Sequence, residues 1–241
     1  MKKFSMLEAW VHELSPMLIG VTETWLNQDI KDSEIALPGY DLFRQDRPVH
    51  REGGGVLLYV KNQLRASEYF TATKFPEQVW CQFRDNEGDP VLVGVCYRTP
   101  SANIFDSNNH DILKELICEL GTSKRHFMMM GDLNYSFKAW PPQYRDLVKN
   151  EQEFFDCMED HFLTQHVDFP TRGDNILDMV ITDDPDDVRD LTDLGQFVPS
   201  DHKAFIFGFR TDAELPCDHL LYGDYRKADV KSFKMRLTEK C

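Results

Sequence analysis

Four consecutive apolar residues, Phe127-Met128-Met129-Met130, constrain this chain more than any other feature, because a run without polar alternation fits a strand covered on both faces. Such a strand needs a sheet with material packed above and below it. Gly131 then interrupts the run, and Asp132 and Asn134 follow two residues apart. In extended backbone, side chains at i and i+2 point to the same side, roughly 6 to 7 Å apart, where two polar groups can share one phosphate or one water. The same pair is also the composition of a plain turn after a strand.

The pattern of an apolar strand running into a carboxylate recurs. Met6, Leu7, Trp10, Val11 and Leu14 carry the spacing of an amphipathic helix closed by Ser15-Pro16, and Met17 to Val21 then reads as a strand ending near Glu23. Gly53-Gly54-Gly55 precedes a strand over Val56 to Val60 and reads as its opening turn rather than a phosphate cradle, for which a helix should follow. Val79 to Phe83 and Val91 to Tyr97 flank a polar loop as a hairpin. Helical spacing returns over Ile112 to Leu120, with Gly121 as its stop, and over Glu151 to Phe162. Ile176 to Thr182 reads as a strand with Asp178 among apolar neighbours, where a carboxylate needs a cation or a donor. Ser200-Asp201-His202 precedes a last strand over Ala204 to Phe209, and the six aspartates of Asp183 to Asp193 read as a solvated loop. The expected fold is α/β: two mixed β-sheets packed face to face with helices outside.

At 241 residues and 41% hydrophobic content, one compact domain over 1–210 with a tail over 211–241 is expected. A formal net charge of -14 argues against coating nucleic acid by bulk charge, although Arg44 to Arg65 holds five Lys or Arg against two Asp or Glu. Six scattered cysteines without a C-x-x-C pair, and no apolar leader, read as reduced thiols in an intracellular protein. No apolar stretch is long enough to cross a bilayer, so no membrane partner is expected.

Collected in order, the strand-end polar residues contain the parts that phosphodiester hydrolysis requires. A hard divalent cation, Mg²⁺ with Mn²⁺ as its alternate, wants one or two carboxylates, which suits Glu23 and Asp201. Asp132 can position and deprotonate a water, while Asn134 and Tyr97 can donate to a crowded transition state. His202 as a cation would grip the phosphate, held protonated by a buried carboxylate such as Asp178. Arg44, Arg51, Arg98 and Arg172 are the candidates for a DNA backbone.

The ordered motifs TETWL, CYRTP, GDLN, ILDMVIT and SDH resemble the endonuclease/exonuclease/phosphatase family across Met17 to Arg210. Arg51 to Gly55 (REGGG), Phe169 to Arg172 (FPTR) and Tyr225 to Asp229 (YRKAD) are most similar to the endonuclease domain of non-LTR (LINE-type) retrotransposons, in which a reverse transcriptase follows. That resemblance implies a four-layer α/β sandwich, Mg²⁺ dependence and one-step attack of water on DNA phosphate, in an enzyme expected in the nucleus if it acts on chromosomal DNA and otherwise in the cytoplasm. It also implies a first strand ending in an Asn. No Asn occurs before Asn27, so that strand is expected to be missing and nicking to be weakened. Two further readings are a phosphatase of the same family acting on small phosphate esters, and a remnant that only binds nucleic acid or protein.

Overall fold

A computed structural model describes residues 2–47, 53–100, 108–197 and 200–211. In chain order the main elements are α1 (Lys2–Leu14), β1 (Leu18–Thr22), β2 (Tyr40–Gln45), β3 (Val56–Lys61), β4 (Ser67–Tyr69), β5 (Gln78–Arg84), β6 (Pro90–Cys96), α2 (Asn109–Thr122), β7 (His126–Phe137), α3 (Lys149–Asp160), β8 (Thr164–Gln165), β9 (Ile176–Thr182), β10 (Val188–Gln196) and β11 (Lys203–Phe209). Arg51 and the tail from 212 onward, with its YRKAD motif, lie outside the described residues. Among those described, no helix is long and apolar enough to cross a membrane.

The apolar run at 127–130 lies inside a six-stranded sheet of order β4-β5-β6-β7-β9-β8, where β7 pairs parallel with β6 and antiparallel with β9. Phe127, Met128 and Met129 are buried, as a strand covered on both faces must be. Each such side chain withdrawn from water contributes on the order of 1.5–3 kcal/mol. Gly131 does not end the strand as its sequence suggests. A side chain there would collide with the Cys96 carbonyl, so glycine lets β6 and β7 approach while β7 continues to Phe137 with a bulge after Asp132. Gly121 likewise lies within α2, whose cap is Ser123.

A second layer, order β1-β3-β2, alternates cleanly. Val56, Leu58 and Val60 join the main core, whereas Leu57 and Tyr59 face outward and are covered by Phe4, Leu7 and Val11 of α1. Leu113, Leu116, Ile117 and Leu120 of α2 and Phe154 and Met158 of α3 pack into the main core, which completes the four-layer α/β sandwich. The six-stranded sheet is mixed, and the opposite layer is antiparallel, divided into β1-β3-β2 and a β10-β11 ribbon. Among the described residues β1, β2, β10 and β11 each keep one edge unpaired. The aspartate-rich stretch 183–193 is only in part a solvated loop: Asp183, Asp186, Asp190 and Asp193 are exposed, but β10 begins at Val188 and Asp187 is fully buried.

Candidate active site

Residues within or beside five strands come together: Glu23 after β1, Tyr97 after β6, Asp132 in β7, Asp178 in β9 and His202 before β11. β1 delivers Glu23 in a left-handed turn, φ +54°, and its Oε2 accepts hydrogen bonds from the Gly54 N–H (2.7 Å) and the Trp25 indole N–H (2.7 Å). The glycine run is an opening turn, as its sequence suggests. Gly54 has φ +72°, and a side chain there would collide with the Arg47 guanidinium, so only glycine lets the backbone donate to Glu23. These N–H groups are spent on protein carboxylates, and the next one, from Gly55, goes to Glu77 (2.6 Å).

Glu77 escaped sequence reading because a lone Glu before a strand carries no motif. It is buried, pairs through Oε1 with Arg47 (Nη2 2.5 Å, Nε 3.0 Å), accepts from Thr99, and its carbonyl receives the Tyr97 N–H. Arg47 in turn lies 5.6 Å over the Tyr97 ring. Glu77 thereby fastens the glycine turn that holds Glu23 to the backbone that holds Tyr97. Tyr97 hydrogen-bonds Glu23, and burial pushes its phenol pKa up, so it remains a protonated donor. Glu77→Gln is expected to lower stability by about 3–5 kcal/mol, because one partner of a buried ion pair is lost. A urea midpoint moved by less than the equivalent of about 1 kcal/mol would deny Glu77 that role.

Across the β7–β9 pair, Asp132 lies directly opposite Asp178. His202 stands between them, its Nδ1 2.8 Å from Asp178 Oδ2 and its Nε2 3.8 Å from Asp132 Oδ2. Burial and the Asp178 charge push the Asp132 carboxyl up to about 7, with the nearby His202 pulling the other way. The hydrogen bond to Asp178 raises the His202 pKa, against desolvation. Thr171, fully buried and also missed in the sequence, orients Asp178 by accepting from its N–H and from that of Leu177 (3.1 Å each).

Asn134 takes φ +51°, which breaks the simple i, i+2 alternation expected of an extended strand; asparagine tolerates that region. Its N–H donates to Asp132 Oδ1 (3.0 Å), the local hydrogen bond of the turn that GDLN also suggests. The Asn134 amide donates to the Arg98 carbonyl (2.9 Å), and Arg98 returns Nε to the Leu133 carbonyl and Nη2 to the Asn134 carbonyl while lying 3.9 Å over the Tyr135 ring. Arg98, expected on a nucleic-acid backbone, is thus used to shape the Asn134 turn. Arg44 is also engaged within the protein, with the Ile30 carbonyl (2.9 Å), Asp32 and Asp46.

Asp201, expected as a metal ligand, lies exposed on the rim and pairs with Arg172 at 2.6 Å. No potential ligand cluster among the described residues includes it, whereas Asp132, Asp178 and His202 form one, with Glu23 close enough to perturb Asp132. Arg172 remains half exposed beside His202, to which its backbone is bridged.

Residues 91–206 match a family model described as endonuclease-reverse transcriptase. Similar solved structures include the AP endonuclease LMAP from Leishmania major (TM-score 0.68, 16% identity, covering 87% of this chain and 83% of that one). The Xenopus laevis APE2 catalytic domain is similar at TM-score 0.61 and 14% identity, covering 90% and 91%. The human Nocturnin catalytic domain with bound sulfate follows at TM-score 0.55 and 16% identity, covering 86% of each. At these identities the likeness is one of fold. No curated protein matches the chain in sequence.

Proposed function

We propose that this chain, which has the endonuclease/exonuclease/phosphatase fold and carries the endonuclease-reverse transcriptase pattern over residues 91–206, is a Mg²⁺-dependent DNA endonuclease that nicks one strand. The observation that carries the reading is the Asp132–His202–Asp178 array with Glu23 beside it. The donor set fits a hard divalent ion: Glu23, Asp132 and Asp178 crowd like charge at one rim, and the rise in the Asp132 pKa reflects that repulsion together with burial. Glu23 would hold the ion with one Asp oxygen, and bound Mg²⁺ would neutralise charge developing on the phosphate.

The chain's own residues account for the remaining steps. Ionised Asp132 accepts the proton of the attacking water as the new oxygen–phosphorus bond forms in line with the scissile one, which breaks with its electron pair leaving on the ribose oxygen, to be protonated from solvent. The gap of 3.8 Å between His202 Nε2 and Asp132 exceeds a hydrogen bond and leaves that N–H for a phosphate oxygen. Asp178 keeps the ring protonated and aimed. Tyr97 donates its one hydroxyl hydrogen to Glu23 and so holds that carboxylate in place, and Arg172 supplies an exposed cation for the DNA backbone.

Incubating supercoiled plasmid with the pure protein and Mg²⁺ is expected to give relaxed circles, and EDTA should abolish them. Release of phosphate from small esters without nicking would favour the phosphatase reading. A folded, monodisperse protein inert in both assays would favour a binding remnant.

A further inference from the structure

His126 opens β7, six residues and therefore roughly 20 Å from Asp132. Around it lies a second cluster that the active-site reading does not use. The Asp187 side chain is fully buried, and among the described residues neither of its carboxylate oxygens has a hydrogen-bond partner. Among the described residues its cationic neighbours are His126 Nδ1 at 3.6 Å and Arg210 Nη2 at 3.7 Å, both too long for hydrogen bonds. A buried carboxylate left this way lacks the compensation that burial of charge demands.

The neighbouring atoms have ligand spacing. His126 Nδ1 lies 3.2 Å from Asp183 Oδ1, and the three residues offer ligand atoms all within 4.8 Å of one another. A tetrahedral ion with bonds of about 2.1 Å would separate its ligands by about 3.4 Å, so the two distances from Nδ1 bracket the requirement. The surroundings also orient the ligands. His126 Nε2 faces the Arg210 carbonyl at 3.2 Å and the ring stacks on Phe209. Donation from Nε2–H to that carbonyl leaves the Nδ1 lone pair aimed at the carboxylates, the outer hydrogen bond that metal-bound histidines use. Asp183 Oδ1 is fixed by the Phe127 N–H at 2.8 Å. Arg210 is held aside by Asp184 at 3.0 Å. A cleft of about 480 Å³ opens beside the cluster, and even without Asp187 its lining has five acidic side chains against three Lys or Arg.

We propose that His126, Asp183 and Asp187 form a second divalent-cation site, distinct from the active site and suited by its imidazole and carboxylate ligands to Zn²⁺ rather than Mg²⁺. Occupied, it would staple the start of the central strand β7 to the β9–β10 turn. The proposal stands independently of the nuclease reading.

The test uses the full chain carrying His202→Ala, which removes the imidazole from the active-site cluster, kept in excess Mg²⁺. Equilibrium dialysis is expected to find about one Zn²⁺ per chain, and adding Asp187→Asn should weaken binding at least ~10-fold, since even outer-shell losses cost that much. Zn²⁺ should also raise the thermal midpoint of the parent and leave that of the Asp187→Asn chain unmoved. His126→Gln, checked for folding by circular dichroism, serves as a second variant. Absence of Zn²⁺ binding in the parent, or binding unchanged by either substitution, overturns the proposal and leaves an imidazolium paired with carboxylates.

Discussion

Replacing Asp132 by Asn is expected to lower plasmid nicking by about 10²–10⁴ while making the metal-free protein more stable at pH 8. The rate loss follows because asparagine keeps the shape but cannot accept the water's proton. The stability gain follows from the site's electrostatics. Asp132 is buried opposite Asp178, and its carboxyl is pushed up to about 7, against an ordinary value near ~3.9. The fold therefore favours its protonated form. That contribution is fully present below the unfolded pKa and is lost as pH rises through about 7, so the ionised carboxylate is a liability in alkaline solution. Asparagine imitates the neutral acid at every pH. Thermal midpoints in EDTA should accordingly converge near pH 4 and separate toward pH 8, with the variant higher. A variant less stable than the parent at pH 8 would mean that Asp132 is a structural ion rather than a strained catalytic one. Saturating Mg²⁺ should narrow the gap, because a nearby cation stabilises the carboxylate.

Asp132 stands out in the sequence, whereas much of its support does not. The apolar run at 127–130 forces a doubly covered strand, and Asp132 is the first carboxylate after that run, although β7 itself continues to Phe137. Asp178 was legible for a related reason, as a charge embedded in the ILDMVIT strand. Glu77 and Thr171 carry no comparable local signal. Their roles arise only when the glycine turn, the Tyr97 backbone and β9 come together in space. Arginines show the opposite failure. Arg44 and Arg98 look like backbone clamps by residue type, yet chain carbonyls and carboxylates claim their donors once the loops close. An aspartate-rich stretch such as 183–193 suggests solvent exposure, from which Asp187 departs. The register of β10 against β11 instead carries it beneath His126.

Asp178→Asn should cost nicking about 10²–10³, comparable to removing His202 itself, because it takes away what makes His202 an effective donor to the phosphate. In the parent, the hydrogen bond to Asp178 raises the His202 pKa above its ordinary value near ~6.5. The imidazolium is thus retained to higher pH than an isolated histidine would allow, and activity should fall only as pH passes through that raised value. With asparagine at 178 the charge that holds the proton is gone, and the amide can present either an N–H or an oxygen to Nδ1. The ring then loses both its cation and its fixed tautomer. The descending limb of the kcat/KM profile should therefore move to lower pH in Asp178→Asn and be absent from His202→Ala, while the Mg²⁺ requirement persists in both. A descending limb unmoved by Asp178→Asn would assign that ionisation to another group. The same substitution should leave Zn²⁺ binding at His126 unchanged, since that cluster sits at the other end of β7 and shares no ligand with this one.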